Sequence, residues 1–384
     1  MNTIKELCPN WRKCGGCQLQ NLTYDQQLRH KQTEAIALLG KFCHVDEIIG
    51  MEQPFHYRNK VCAAFGYDKR THSAVSGIYQ SGSHAIVPVD ECLIEDGISD
   101  KIVVDIRGML KGFKIQTYDE QTMTGYLRHV LVRRGFATGQ VMVVLVVSGP
   151  IFKLQKPFLA KLLEMHPEIS TVVLNINDRF GPVVLGSREK VIYGNGYIED
   201  VLCGRRFRIS SGSFYQVNPA QTEKLYAKVR EFAALTGKET VLDAYCGVGT
   251  IGICASDGAK QVIGVEINRD AVKDAILNAK LNGIKNCYFT SGDAGHYMEQ
   301  MAQDKIRPDV VFMDPPRAGS DERFISSLLK AAPERIVYVS CCMDTLARDL
   351  SMICAGGYEV KKIQPVDMFP FTSHVETVVL MTRI

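Results

Sequence analysis

The chain has 384 residues, 46% of them hydrophobic, which is enough for large cores and more than one typical domain needs. Its net charge of +3 permits a nucleic-acid partner without arguing for one, because such binding needs clustered charge. No apolar stretch reaches the roughly 18 residues of a membrane span, Met1–Leu7 has no signal-peptide pattern, and thirteen cysteines without a secretory signal point to the reducing cytoplasm.

Residues 1–92 open with a cysteine cluster, followed by a helix-like stretch from Thr23 to Leu39 and then turn-rich sequence. Residues 93–210 are strand-rich. Val141–Val147 and Thr171–Ile176 are continuous apolar runs, with helix-like Leu154–Met165 between them, as a small α/β or α+β domain requires. These two segments form one unit, and the boundary to the last domain, 211–384, falls near residue 211. Pro219 suits a first helical turn. Strands and helices then alternate: Thr240–Ala244, Thr250–Ala255, Gln261–Glu266, Asp270–Leu281, Asn286–Ser291, Asp309–Met313, Glu322–Ala331, Arg335–Ser340, Asp344–Ala355, Tyr358–Met368 and Thr377–Met381. Ala271, Val272, Ala275, Ile276 and Ala279 share one helix face, and Asn282-Gly283 supplies the stop. Such alternation predicts a doubly wound, Rossmann-like α/β domain with its ligand at the carboxyl ends of the strands.

The first of those strands ends in Asp243, and Tyr245-Cys246-Gly247-Val248-Gly249 turns into a helix. Glycines let a ligand approach the backbone. About seventeen residues later Glu266 ends the second strand, placed to accept from ribose hydroxyls. The pair suits a nicotinamide enzyme or an S-adenosylmethionine (SAM) enzyme; the missing third glycine of the dinucleotide pattern favours SAM. A further strand ends in Asp314-Pro315-Pro316-Arg317, a stiff turn beside the cofactor. Amino-group methyltransferases carry an aromatic residue where Arg317 stands, which argues against methylation of an exocyclic nitrogen.

Cys341 follows the next strand at the same sheet edge, and Asp344 is placed to cap the helix after it. A thiolate beside a methyl donor suits a pyrimidine: addition at carbon 6 makes carbon 5 nucleophilic. A base must afterwards take the carbon 5 proton, and Glu376, before the last strand, is the candidate. Near the N-terminus, Cys8, Cys14 and Cys17 stand with five and two residues between them, a pattern open to structural zinc or an iron–sulfur cluster. Arg58 with Lys60, Arg128 with His129, Arg133-Arg134, and Arg205-Arg206 with Arg208 are local basic groups that could bind phosphates if they line one face. Tyr57 and Phe214 are candidates to stack on bases, core packing being the expected role of Phe214.

Phe55-His56-Tyr57-Arg58-Asn59-Lys60, Leu127-Arg128-His129, Ser213-Phe214-Tyr215-Gln216-Val217-Asn218, Asp314-Pro315-Pro316-Arg317, Ser340-Cys341, Leu346-Ala347-Arg348-Asp349 and Asp367-Met368-Phe369-Pro370 with His374 and Glu376 together resemble the RNA uracil-C5 methyltransferase family, in particular its iron–sulfur members acting on ribosomal RNA. The resemblance covers nearly the whole chain. It implies methylation of carbon 5 of a uridine in 23S ribosomal RNA, with Cys341 the nucleophile, Glu376 the base, and Gln216, Tyr245, Glu266 and Asp314 contacting SAM. It also implies a fourth thiol, Cys92, completing a closed [4Fe–4S] site with Cys8, Cys14 and Cys17, in a structural or RNA-docking role. Two departures stand out. Cys342-Met343 replaces the family's usual Asn-Pro after the nucleophile, and no room precedes Cys8 for the small β-barrel many relatives carry. RNA affinity is then expected from the central domain and the active-site rim, with the target nucleotide flipped out of its stack. Transfer RNA as substrate, or a catalytically silent RNA-binding assembly factor, are the alternatives; a monomer is the default state.

Overall fold

A computed structural model describes residues 8–181, 183–304 and 306–384. In chain order they form helix α1 (Tyr24–Leu39), strands β1 (Lys60–Asp68), β2 (Ser73–Tyr79) and β3 (Ile86–Pro88), helix α2 (Gly97–Met109), strands β4 (Leu127–Arg134) and β5 (Val141–Val147), helix α3 (Gln155–Met165), and strands β6 (Ile169–Ile176) to β7 (Arg188–Tyr193), β8 (Tyr197–Leu202) and β9 (Arg205–Ser210). The remainder is α4 (Pro219–Ala233), β10 (Thr240–Ala244), α5 (Thr250–Ala255), β11 (Gln261–Glu266), α6 (Arg269–Leu281), β12 (Cys287–Ser291), α7 (Ala294–Gln303), β13 (Val310–Met313), α8 (Glu322–Ala331), β14 (Arg335–Ser340), α9 (Met343–Ala355), β15 (Tyr358–Val366) and β16 (Glu376–Arg383). Among the described residues no helix is long and apolar enough to cross a membrane.

The chain divides into two compact units. The first takes the residues up to Thr23, Gln53–Val201 and Ile209–Gly212; the second takes Tyr24–Glu52, Leu202–Arg208 and Ser213–Ile384. The sequence reading put residues 24–52 with the cysteine region, whereas their contacts belong to the C-terminal unit.

The first unit is built on a seven-stranded sheet in the order β3-β2-β1-β4-β5-β6-β7. It is antiparallel except for β5 and β6, which α3 connects in parallel. All seven residues of β5 are buried, which is why that run shows no alternation. Helix α2 begins where the Asp96 carboxylate accepts from Ser99 N at 3.0 Å, and it buries Ile102, Val103 and Ile106 in the same core as β4 and β5.

The second unit carries a seven-stranded sheet in the order β12-β11-β10-β13-β14-β16-β15. Strands β10 to β14 pair in parallel; β16 then runs antiparallel between β14 and β15. This is the doubly wound sheet the alternation predicts, and the crossover between β10 and its neighbours β11 and β13 opens the crevice where ligands of such sheets bind. Leu242, Val311, Met313, Ile336 and Tyr338 are buried in one core. Each such side chain contributes roughly 1.5–3 kcal/mol of burial free energy.

Helix α1 joins this core through Ala35 and Leu39 and through a buried polar contact. Lys31 Nζ donates to Asp367 Oδ1 at 2.6 Å with both side chains fully buried, and Tyr24 Oη donates to Asp367 Oδ2 at 2.8 Å. Gln27 Oε1 accepts from Phe371 N at 2.8 Å, which satisfies a backbone held at φ +69°. The loop between β15 and β16 is therefore pinned from α1, a few residues before Glu376.

Candidate active site

The cofactor turn leaves β10 through three residues with positive φ: Tyr245 (+64°), Gly247 (+56°) and Gly249 (+82°). A Cβ added at Gly247 would meet nothing within 4 Å, so this stretch of backbone is open to a ligand. Gly249 and Gly264 are glycine for a different reason. A Cβ there would lie 2.9 Å and 2.3 Å from the Phe289 ring, which packs down on both. Phe289 thus fixes the turn, a role the sequence reading missed; an aromatic residue on an edge strand gives no signal of it.

Asp243 accepts from Gly252 N at 2.9 Å through one oxygen, while its other oxygen is buried without a partner. Burial pushes its carboxyl up to about 7. Glu266 accepts from Gly247 N at 3.1 Å and from Asn268 N at 2.8 Å, one bond to each oxygen. It ties the turn to the end of β11, and each oxygen keeps a second lone pair for a ligand. Gln216 is buried, and half-buried Tyr245 lays its ring 5.4 Å from that of Phe324. An open glycine backbone, an orphaned carboxylate oxygen and an acidic strand end fit an adenosine-bearing cofactor.

Cys341 follows the last residue of β14 and Glu376 is the first residue of β16. Ser340 pairs with Thr377 across those strands, so register alone brings the thiol and the carboxyl to one sheet edge. Asp314 follows the last residue of β13, close enough for its charge to reach both. The thiol feels both carboxyls, and Glu376 feels Asp314. Burial first, then the charges of Glu376 and Asp314, push the Cys341 thiol up to about 11, against which Arg317 pulls down. Burial, then Asp314, raise Glu376 to about 8, again opposed by Arg317. Burial raises Asp314 to about 7. In the free protein Cys341 is therefore a thiol, and the two carboxyls exchange protons near neutrality.

Local bonds aim these groups. Ser340 Oγ donates to Cys342 O at 3.0 Å and accepts from Cys342 N at 3.2 Å, closing a tight turn that presents Cys341. The residue at the helix start is Cys342 rather than Asp344, and no side chain caps α9; Asp344 sits in the first turn, where it favours the helix dipole. The loop after Asp314 is locked from α9. Buried Asp349 accepts from Ser320 N at 2.8 Å and from Tyr338 Oη at 2.6 Å, and Arg348 Nη2 donates to Ala318 O at 2.9 Å. Gly319, at φ +78°, leaves the room these need, since a Cβ there would lie 2.5 Å from Arg348. The Leu346–Asp349 motif is thus the clamp of the Asp314 loop.

Other expected site residues fall elsewhere. Arg128, His129 and Arg133 are buried; Arg128 donates to Asn177 O and Arg179 O, both at 2.8 Å, and its guanidinium lies 4.5 Å from the Tyr118 ring centroid. Arg134 pairs with Asp96 at 2.8 Å, and Arg205 with Asp257. Lys60, half-buried, is pushed down to about 8 by burial and by Arg133. Arg128, Arg134 and Arg205 thus serve contacts within their own units. Tyr57 is 2% exposed and cannot stack on a base, whereas Phe214, expected in the core, is 65% exposed.

Cys8, Cys14, Cys17 and Cys92 belong to the first unit as half-buried free thiols. Among the described residues no three His, Cys, Asp or Glu groups are gathered to hold a metal ion. Four cysteines are a donor set suited to thiolate ligation in kind, and Cys17 feels the charges of Cys14 and Cys8, whereas the charged neighbours of Cys92 are Glu95 and Asp100. Burial dominates, and raises Cys17 to about 12 and Cys92 further.

Known proteins are similar to this chain over most of its length. The model of the tRNA (Uracil-5-)-methyltransferase family matches residues 170–384. An uncharacterised RNA methyltransferase of Halalkalibacterium halodurans is 43% identical over 383 residues, 98% of this chain and 83% of the relative. One of Enterococcus faecalis is 43% identical over 380 residues, 97% and 82% of the two chains. Among solved structures, the Pyrococcus abyssi tRNA (uracil-54, C5)-methyltransferase, in complex with S-adenosyl-L-homocysteine, is 28% identical with a TM-score of 0.78, over 96% of this chain and 86% of that one.

Proposed function

The chain belongs to the tRNA (Uracil-5-)-methyltransferase family and is a SAM-dependent RNA methyltransferase; from that premise we propose that it methylates carbon 5 of a uridine in 23S ribosomal RNA through a covalent bond to Cys341. The observation that carries the mechanism is the shared sheet edge of Cys341 and Glu376, set by the Ser340–Thr377 pairing.

The Cys341 thiolate adds to carbon 6 of the uracil, and the electron pair of the 5,6 double bond moves to give an enolate with a nucleophilic carbon 5. Bound SAM supplies the sulfonium methyl group that this carbon takes. Glu376 then removes the carbon 5 proton, the double bond re-forms, and the carbon 6–sulfur bond breaks to return the thiolate. A carboxyl held near 8 is a far stronger base than an ordinary glutamate and still exchanges its proton near neutral pH. Gln216, Tyr245, Glu266 and Asp314 hold the cofactor, Asp314 also facing the base. Exposed Phe214, two residues before Gln216, suits stacking on a flipped nucleotide.

The ribosomal substrate is tied to the cysteines. Cys8, Cys14, Cys17 and Cys92 would hold a closed [4Fe–4S] cluster with a structural or docking role, a reading supported by four thiols in one unit. Iron and acid-labile sulfide after anaerobic purification test it, and a colourless, iron-free protein refutes it. Thirteen free cysteines suit a cytoplasmic enzyme, taken as a monomer. The substrate is tested by incubating enzyme and methyl-labelled SAM with ribosomal or transfer RNA and digesting to nucleosides. Labelled 5-methyluridine from ribosomal RNA alone supports the proposal; label in transfer RNA alone, as the Pyrococcus relative's name would suggest, overturns it.

A further inference from the structure

Arg317 is the positive charge that opposes the carboxylates at both Cys341 and Glu376. Its backbone is fixed, since Thr345 Oγ1 donates to Arg317 O at 3.1 Å and Gly319 N to Pro316 O at 2.8 Å. Its side chain is exposed and long, and a guanidinium in water samples many rotamers unless something holds it. The group that meets it is His374, whose Nε2 lies 3.4 Å from Arg317 Nη2. The imidazole is itself held: its ring stands edge-on to Phe369 at 6.2 Å, and its backbone N donates to Thr372 Oγ1 at 3.3 Å. Two residues on, the same segment carries Glu376.

We infer that His374 is a positioning residue: its Nε2 accepts from the Arg317 guanidinium and keeps that charge against the thiol of Cys341 and the carboxyl of Glu376. Arg317 always carries its charge, so the imidazole must be neutral, with its proton on Nδ1, to make this contact. The inference rests on the uracil-methylation reading for its purpose but not for its test. The groups facing the thiol are Glu376 from β16, and Asp314 and Arg317 from the end of β13 and its loop. Removing the acceptor releases the one cation of this set, and the thiol becomes harder to ionise.

The test is the pH dependence of iodoacetamide alkylation at Cys341, read on its own peptide by mass spectrometry, with neither RNA nor SAM present. His374→Phe keeps the ring against Phe369 and removes the acceptor. Its alkylation midpoint should rise by about half a pH unit or more, a threefold fall in rate at fixed pH below the midpoint. Arg317→Gln should give a rise at least as large, and the double variant no more than Arg317→Gln alone, because His374 acts only through Arg317. His374→Gln, which restores an acceptor, should return the midpoint toward wild type. His374→Leu, carried in parallel, gives the same reading should the phenylalanine variant fail to fold. An unchanged midpoint in the variants lacking the acceptor, or additive shifts in the double variant, overturns the inference. Neither outcome bears on uracil methylation, which the nucleoside assay decides separately.

Discussion

The base proposed for the reaction, Glu376, sets function against stability, and the conflict can be measured. Its side chain is 4% exposed and its carboxyl is raised from 4.5 to about 8 by burial and by Asp314. Between those values the unfolded chain has released the proton while the folded chain keeps it. Folded protein then binds more protons than unfolded, and stability falls as pH rises, by about 1.4 kcal/mol per unit. Over the window from 4.5 to about 8 the penalty reaches roughly 5 kcal/mol. Glu376→Gln keeps the shape and cannot ionise, so it removes the penalty along with the base. Urea unfolding of wild type and variant at pH 5 and pH 8 reads the difference directly. The variant should be nearly as stable as wild type at pH 5 and several kcal/mol more stable at pH 8, while losing turnover about 10²–10⁴-fold. Equal stability at both pH values would refute the reasoning, for it would mean the carboxyl is not desolvated.

Three further perturbations have expected outcomes. Lys31→Met leaves Asp367 buried without its cation and should cost about 3–5 kcal/mol in urea unfolding, whereas Lys31→Met with Asp367→Asn should recover most of it; equal losses would show that the pair is not what holds the loop. Gly264→Ala drives a Cβ into Phe289 and should cost about 1–3 kcal/mol with weakened S-adenosylhomocysteine binding by calorimetry. Adding Phe289→Leu should restore part of both, and no recovery would place the strain elsewhere. Cys342→Ser should methylate RNA within about threefold of wild type, while Cys341→Ser should lose about 10⁴-fold or more, the scale of a missing nucleophile.

The alternating run from β10 to β14 was legible because buried parallel strands and amphipathic helices leave different periods. The reversal of β16 between β14 and β15 was not, since an apolar run carries no direction. Residues 24–52 were assigned to the wrong unit because the decisive partner of Lys31 is Asp367, 336 positions away. Cys341 and Glu376 could be named from the chemistry proposed for them, and the Ser340–Thr377 pairing between β14 and β16 puts both at one sheet edge. Basic residues misled for the opposite reason: Arg128 and Arg133 are buried strand residues, and Arg128 is held by backbone carbonyls and an aromatic ring that no spacing reveals. The exposure of Phe214 and the burial of Tyr57 are of the same kind.

The most direct measurement uses RNA in which the target uridine is replaced by 5-fluorouridine. Fluorine cannot leave carbon 5 as a proton does, so elimination is blocked and the methylated base stays attached to the enzyme. Peptide mapping of the trapped complex should find the nucleotide on the sulfur of Cys341, with the cofactor converted to S-adenosylhomocysteine. An adduct on Cys342, or methyl transfer to unmodified RNA with no trapped enzyme, would contradict nucleophilic catalysis by Cys341.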